Sequence, residues 1–258
     1  MNLPSEQSKA LLPRPLGEGS YLIPDWPAPK NVRSLQTTRI GGVSVAPYDS
    51  FNLGDHVGDM SQAVARNRHL LSPLMPSEPV WMQQVHGTVV ANADVGSCLI
   101  QADASIARQR GSVCVVMTAD CLPVLLCDED GTVVAAAHAG WKGLAAGVIE
   151  ATVQAMNVEP NKLMAWFGPA ISQRAFEVGE EVRATFIAHN AQATEAFLPG
   201  VNGKWLADIY LLAHQRLNAL GITRVSGGEH CTYSDSERFF SYRRDGVTGR
   251  MGTFIWLE

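Results

Sequence analysis

Three short segments of the chain hold residues that could bind a metal ion. His86 lies in the segment QVHG, Cys121 in TADC and His138 in HAGWKG, each at the edge of an apolar run and beside turn residues. Two imidazoles and one thiolate supply three of the four ligands of a tetrahedral zinc ion, and three protein ligands with an open fourth position are typical of catalytic sites. If these side chains meet in the fold, we expect a metalloenzyme that activates water or an oxyanion.

Each of these residues also has an ordinary structural interpretation. A single His after an apolar run often has a structural role, and buried free Cys is common. Cys121, however, lies between Asp120 and Pro123, at a break between two predicted strands where a thiol can face a cleft. His138 ends a predicted strand and leads through a Gly-rich turn into a predicted helix, whose N-terminus would attract an anion. The three residues form no short local signature, so the residues alone leave both interpretations open.

The elements that must position these residues follow from hydrophobic periodicity and turn residues. Predicted strands cover 32–38, 79–84, 88–93, 111–118, 122–127, 132–137, 163–167, 223–225 and 251–257, and predicted helices cover 61–71, 144–156, 179–189 and 209–220, the first with Ser61 as its N-cap. A hairpin-type turn at 128–131 implies antiparallel neighbours. We therefore predict an α+β (mixed α/β) fold, with an N-terminal extended arm over 1–30 and a single catalytic domain over 31–258.

Composition excludes several classes of protein. The net charge is −5 and no Lys/Arg block occurs, so binding to nucleic acid or to a membrane surface has no electrostatic support. The N-terminus lacks the apolar core of a signal peptide, and no apolar stretch reaches membrane length. The five cysteines include no CxxC, which fits a reducing compartment. We expect a soluble, cytoplasmic monomer that acts on a small molecule.

Other catalytic signatures are absent from the sequence. The chain has seven His and no His-x-His, too few imidazoles to fill several copper sites. A single His/Cys/His site could still hold copper, because imidazole and thiolate both bind that metal. The zinc-deaminase signature, the phosphate-binding P-loop and the dinucleotide-binding GxGxxG do not occur.

The chain resembles the YfiH family, often labelled a laccase-like or multicopper polyphenol oxidase domain. The similarity runs from about residue 35 to the C-terminus and is carried by TTRIGGVS (37–44), FNLGDHVGD (51–59), WMQQVHG (81–87), QADA (101–104), TADCLPVLL (118–126), AAAHAGWKG (135–143), FGPAI (167–171), FEVG (176–179) and FFSYRRDGVTGRM (239–251). The resemblance implies an α/β sandwich with mixed sheets. It also implies that His86, Cys121 and His138 coordinate a metal, usually regarded as zinc.

This sequence departs from the family pattern in two places. Lys142 follows HAGW where the family often has Arg, which keeps a charge but loses the bidentate fork. The segment SQRA at 172–175 replaces a Gly-Pro-Cys-like run, so the shape of that loop is not carried over from the family.

The resemblance implies activity on purine nucleosides. Adenosine, inosine and methylthioadenosine would react with phosphate to give the base and ribose 1-phosphate, with some adenosine deamination. Such a site needs cationic contacts for phosphate, and the candidates are Arg39, Lys142, Arg243, Arg244 and Arg250. Arg39 and Arg250 adjoin Gly-containing turns and are the preferred pair, although a solvated surface charge is the more common role of any one Arg taken alone.

Two further polar residues are candidates, each with an alternative. Asn52 could hydrogen-bond to ribose or base, or could cap a turn. Asp120 could support the metal site or act as a general acid or base, or could form an Asx turn at a strand end. The adjacent His230 and Cys231 would point to opposite faces of a strand, so we interpret them as structural.

Other functions remain open at this point. Cys121 with His86 or His138 could form a metal-free nucleophilic pair of a hydrolase or amidase, as in cell-wall precursor editing, to which the resemblance also points. A copper-dependent polyphenol oxidase and a non-enzymatic metal-binding protein are further alternatives. Stoichiometric, tightly held zinc on the three residues would exclude the free-thiolate mechanism.

Overall fold

The computed structural model describes residues 16–96 and 100–258, so the first half of the predicted arm and Cys98 lie outside the described residues. The strands are β1 (Tyr21–Leu22), β2 (Val32–Thr37), β3 (Val90–Asn92), β4 (Ala104–Ala107), β5 (Val113–Thr118), β6 (Leu122–Asp128), β7 (Val134–Ala139), β8 (Leu163–Phe167), β9 (Glu177–Val178), β10 (Phe197–Pro199), β11 (Trp205–Ala207), β12 (Arg224–Gly227) and β13 (Met251–Leu257). The α-helices are α1 (Ser61–Leu71), α2 (Trp141–Ala146), α3 (Val148–Met156), α4 (Glu180–His189), α5 (Ile209–Ala219) and α6 (Tyr242–Asp245).

Two sheets stack face to face and carry the fold. One is antiparallel with the order β1-β2-β13-β5, and the other is mixed with the order β12-β8-β6-β7-β4-β3. Buried side chains of both sheets, such as Val116, Leu125 and Ile255, form the core between them. Helices α3 and α5 pack on the outer face of the mixed sheet, and α1 covers the antiparallel sheet. The predicted mixed α/β sandwich is therefore confirmed.

Most predicted elements occur, and the exceptions have local causes. The helix predicted over 144–156 is two helices, because Gly147 adopts φ +100° and ends α2 after Ala146. Met60 is the N-cap of α1, so the prediction for Ser61 was displaced by one residue. Segment 79–84 forms isolated bridges through Val80 and Gln83 and is not a continuous strand.

Smaller elements were not predicted from the sequence. Strand β4 is fully buried and too short to show alternation, and β9, β10 and β11 form a separate three-stranded sheet. Within the predicted arm, β1 pairs with β2 at the sheet edge. None of the helices in the described residues is long and apolar enough to cross a membrane.

The path of the chain between β5 and β6 decides where the site lies. Strand β5 ends in the antiparallel sheet and pairs with β13, whereas β6 begins in the mixed sheet and pairs with β7. Residues 119–121 therefore cross from one sheet to the other. Asp120 makes this crossing with φ +92°, a left-handed conformation that non-Gly residues seldom adopt. Cys121 is thus held at the end of the sandwich where the chain passes from one sheet to the other.

Candidate functional site

The three predicted metal ligands meet at this end of the sandwich. One ligand atom from each of His86, Cys121 and His138 lies within 4.8 Å of the others, and Cys121 Sγ is 3.8 Å from His86 Nε2. Tetrahedral zinc with these ligands separates neighbouring ligand atoms by about 3.5 Å, so small side-chain shifts would close the cluster on an ion. Among the described residues this is the single group of three or more His, Cys, Asp or Glu side chains so arranged.

A buried carboxylate, Asp103, holds the segment that carries His86. Its Oδ2 accepts hydrogen bonds from the backbone N–H groups of Val85 (3.1 Å) and Gly87 (2.7 Å), and Oδ1 accepts one from His86 (2.9 Å). These bonds fix a turn in which His86 adopts φ +60°. Asp103 is fully buried, so the turn is anchored to the core while the His86 side chain stays exposed.

Asp103 also fixes the third ligand. Its Oδ1 lies 2.8 Å from His138 Nδ1, which places the proton on Nδ1 and leaves Nε2 to face a metal ion. Burial alone would raise the pKa of Asp103, but the hydrogen bonds from His138 and from the backbone lower it overall. The carboxylate therefore stays ionised and holds two candidate ligands, His86 through the backbone N–H of that residue and His138 through its ring.

The thiol and the buried imidazole influence each other strongly. Burial alone would raise the pKa of Cys121, but the charges and hydrogen bonds of His138 and His86 lower it below the usual range of a thiol. Burial alone would lower the pKa of His138, but Cys121 and Asp103 raise it. The metal-free cluster thus favours a thiolate beside an imidazolium, and metal binding must displace the second proton of His138. The donor set fits a zinc-type ion.

Close packing at Gly140 gives the first testable prediction. A Cβ atom there would lie 2.7 Å from His86 Cδ2 and 2.9 Å from Cys121 Sγ. We expect Gly140→Ala to push the exposed His86 ring aside and to weaken zinc binding on the order of tenfold, with little change in melting temperature. Chelator competition would measure the affinity, with Gly17→Ala as the control because a Cβ at Gly17 contacts nothing within 4 Å. Unchanged zinc affinity in Gly140→Ala would show that the cluster tolerates the methyl group.

Two cavities flank the cluster, and both are lined by His86, Ala119, Cys121 and Tyr242. The first, the aromatic cavity, has a volume of about 300 Å³ and adds Asp120, Trp141, Lys142, Ile171, Phe176 and Arg243. The second, the polar cavity, has a volume of about 400 Å³ and adds His56, Gln84, Met117, Thr118, His138 and Arg250. The cluster therefore contacts an apolar, aromatic space on one side and a polar space on the other.

Three of the predicted substrate contacts lie at these cavities. Lys142 is exposed beside Trp141, with Nζ 5.7 Å from the centre of its ring. Arg243 donates to the carbonyl of Glu177 (2.9 Å) and lies over the ring of Phe176. Arg250 lines the polar cavity. One predicted cation, Arg250, therefore lines the polar cavity, and two, Lys142 and Arg243, line the aromatic cavity.

Other predicted contacts have different roles in the structure. Arg39 pairs with Asp49 and donates to its carbonyl, and it lines neither cavity. Asn52 is fully buried and its amide bonds to Gly54, Asp59 and the backbone of Arg250, so its contacts favour the turn-capping alternative.

Arg244 is also engaged elsewhere. It pairs with Asp245 and donates to the carbonyls of Thr232, Tyr233 and Phe239, so it serves the loop that carries α6.

The side chain of Asp120 hydrogen-bonds to other residues than the three candidate ligands in the described part of the chain. Its Oδ1 accepts a bond from Thr232 Oγ1 (2.6 Å) and its Oδ2 accepts one from the backbone N–H of Arg243 (2.7 Å). It therefore ties the crossing between the sheets to the C-terminal loop, and its side chain lines the aromatic cavity. The carboxylate that hydrogen-bonds to a ligand is Asp103, which lies in the segment QADA and was not assigned a role from sequence.

Sequence reasoning also missed the aromatic lining. Trp141 and Tyr242 adjoin candidate residues, and a search for aromatic neighbours of the cationic candidates would have found them. Phe176 and Ile171 come from a loop after β8, and the sequence holds no signal that brings this loop to Cys121.

The fold and the cluster define the class of protein: an α/β sandwich with a His/Cys/His candidate metal centre between two cavities. A family model described as multi-copper polyphenol oxidoreductase laccase matches residues 33–258, and the chain belongs to this family. The resemblance to the YfiH family is thereby confirmed, because close relatives carry that name. The family description refers to several copper ions, whereas the described part of this chain holds one candidate cluster.

Close relatives and solved structures agree with this assignment. A protein of Pseudomonas aeruginosa named purine nucleoside phosphorylase is 55% identical over 240 residues, which are 93% of this chain and 99% of the relative. The purine nucleoside phosphorylase YfiH of Escherichia coli is 54% identical over 239 residues, 92% of this chain and 98% of the relative. A structure of a DUF152-family protein from Neisseria meningitidis is 51% identical, covers 93% of this chain and 99% of its own, and superposes with a TM-score of 0.89.

Proposed function

We propose that this protein is a zinc-dependent purine nucleoside phosphorylase. The observation that supports it most is the position of the His86–Cys121–His138 cluster between an aromatic and a polar cavity. Close relatives named purine nucleoside phosphorylase support the same substrate class. Zinc on these three residues would supply a Lewis acid that attracts and orients an oxyanion at neutral pH.

The aromatic cavity suits the base of a nucleoside. Trp141 and Phe176 offer apolar ring surfaces to a flat purine. Arg243 lies over the ring of Phe176, with its Cζ 5.5 Å from the centre of that ring. In phosphorolysis, a phosphate oxygen bonds to the anomeric carbon of ribose, the bond to the base nitrogen breaks, and the base takes that electron pair and then a proton. Arg243 and Lys142 would stabilise the negative charge that develops on the departing base.

The proposed activity predicts a phosphate-dependent release of base. Zinc-loaded protein should convert inosine to hypoxanthine and ribose 1-phosphate only when phosphate is present. Chromatography of both products would measure this, and Cys121→Ala provides the inactive control. Release of hypoxanthine at the same rate without phosphate would identify a hydrolase instead. Conversion of adenosine to inosine in the same assay would test the predicted deaminase side activity.

The contact between Cys121 and His86 favours one alternative. With Sγ 3.8 Å from Nε2, the thiolate could act as a nucleophile without metal, as in a hydrolase or amidase acting on a cell-wall precursor. Metal analysis separates the two functions. A metal-free protein that keeps full activity and is inactivated by thiol alkylation would support the hydrolase. Copper in place of zinc, with oxidation of a phenol, would support the polyphenol oxidase.

A further inference from the structure

Arg250 is a largely buried cation that lacks a carboxylate partner. Its Nη1 donates to the backbone carbonyls of Thr248 (3.1 Å) and Gly249 (3.0 Å). In the part of the chain that the structure describes, its Nε and Nη2 donate no hydrogen bond and it forms no ion pair, unlike Arg39, which pairs with Asp49. A guanidinium held by carbonyls but left without an anion is prepared to bind one.

Neighbouring negative charges do not complete the coordination of Arg250. Burial lowers its pKa, while the charges of Cys121 and Asp120 act in the opposite direction. Both oxygens of Asp120 already accept hydrogen bonds from Thr232 and from the backbone of Arg243. The thiolate of Cys121 would be neutralised by a metal ion, so the guanidinium would then face a cationic centre across a cavity without any anion between them.

Besides Arg250, the polar cavity is lined by a second polar group without a hydrogen-bond partner among the described residues. Thr118 lines this cavity, is 1% exposed, and its Oγ1 has no hydrogen-bond partner within the described residues. Buried hydroxyl groups are normally paired, and one without a protein partner beside a cavity can bond to a ligand that enters the cavity. His56 lines the same cavity and adds an imidazole near Arg250. The unpaired groups thus converge on a space of about 400 Å³ that adjoins all three candidate metal ligands.

We propose that the polar cavity is the phosphate subsite, in which Arg250 and Thr118 hold inorganic phosphate beside the His86–Cys121–His138 cluster. The Nε and Nη2 atoms of Arg250 would donate to two phosphate oxygens, and Thr118 Oγ1 would donate to a third. The base of the nucleoside would then occupy the aromatic cavity on the other side of Cys121. This inference rests on the proposed phosphorylase function, and it selects Arg250 from the cationic residues predicted to contact phosphate.

Direct titration of inorganic phosphate into zinc-loaded protein tests the subsite without turnover. By isothermal titration calorimetry, Arg250→Ala should bind phosphate at least about tenfold more weakly, because it loses charge-assisted hydrogen bonds. Thr118→Val, which keeps the branched shape, should bind about threefold to tenfold more weakly without a loss of melting temperature, because the hydroxyl has no partner to lose. Arg33→Ala is the matched control, since Arg33 pairs with Glu258 on the surface away from the cavity.

Steady-state kinetics should show that the two variants weaken the binding of phosphate but not that of inosine. In phosphorolysis, both variants should raise KM for phosphate by these factors while KM for inosine changes less than about twofold. Phosphate affinity equal to that of the unmodified protein in Thr118→Val and in Arg250→Ala would overturn the subsite. If Arg250→Ala does not fold, Arg250→Gln takes its place beside Thr118→Val.

The result that would contradict the phosphate subsite differs from the result that would contradict the phosphorylase function. Turnover of inosine with an unchanged KM for phosphate in both variants would overturn the subsite and leave the phosphorylase function intact. Phosphate binding that depends on Arg250 and Thr118, without any turnover of purine nucleosides, would overturn the function and leave the oxyanion subsite standing.

Discussion

Replacing Cys121 by Ala should reduce nucleoside phosphorolysis by about 10³-fold or more while the fold and its stability are kept. The thiolate is one of three candidate ligands, and without it His86 and His138 would hold a metal ion weakly, so the electrostatic stabilisation that the ion would supply is lost. Stability should change little because Cys121 lies at the crossing between the sheets, is partly exposed, and belongs to none of the core clusters. Activity with inosine, zinc content and thermal unfolding would be measured together.

Cys127 provides the matched control in β6, the strand that follows Cys121. It is fully buried in the core between the sheets, and burial raises the pKa of its thiol to about 12. Cys127→Ala should therefore lower the free energy of unfolding by about 1 kcal/mol and leave zinc binding and activity unchanged below its melting temperature. Collapse of the circular dichroism spectrum in Cys121→Ala would return this thiol to the core and would contradict its role as a ligand.

Local signals in the sequence marked the three candidate ligands, and the resemblance to the YfiH family favoured the metal-binding interpretation over the structural one. Cys121 directly precedes β6 and follows Asp120, and this polar break in an apolar run marked a break between two strands. His138 lies near the end of a fully buried strand before a Gly-rich turn. Strands β6, β8 and β13 were predicted for the same reason, since long apolar runs between turn residues have few alternatives.

The features that sequence did not predict depend on long-range contacts. Asp103 interacts with His138 across 35 residues of chain, and nothing in its own segment indicates a buried carboxylate rather than a turn residue. Arg39 and Arg250 both adjoin Gly-containing turns, yet one found Asp49 as a partner and the other did not. Only the packing of loops decides such pairings, so a sequence can propose cationic candidates but cannot select among them.

Replacing Asp103 by Asn should weaken zinc binding by about 10- to 100-fold through the tautomer of His138. Four N–H groups, from Val85, His86, Gly87 and the His138 ring, point at the two oxygens of this carboxylate. An amide offers one oxygen and one NH₂ group, so at least one pair of donors must face each other. If the NH₂ group faces Nδ1, the imidazole must carry its proton on Nε2, which is the nitrogen that would bind zinc.

Chelator competition would give the zinc affinity, and the nitrogen NMR shifts of His138 would report its tautomer in the metal-free protein at a pH above the raised pKa of His138, about 9, where the ring is neutral. Asp128→Asn is the matched control, because Asp128 is also buried and accepts bonds from the N–H groups of Thr132 and Val133, far from the cluster. Asp103→Asn should lose about 1–3 kcal/mol of stability because it leaves a buried donor unpaired. Asp128→Asn should lose less, because its amide oxygen can still accept from Thr132 and Val133 and its NH₂ group can donate to Thr132 Oγ1. Only Asp103→Asn should change the tautomer and the zinc affinity. Equal zinc affinity in the two variants would limit Asp103 to holding the turn, and the orientation of His138 would then depend on its packing against β6 and β4 alone.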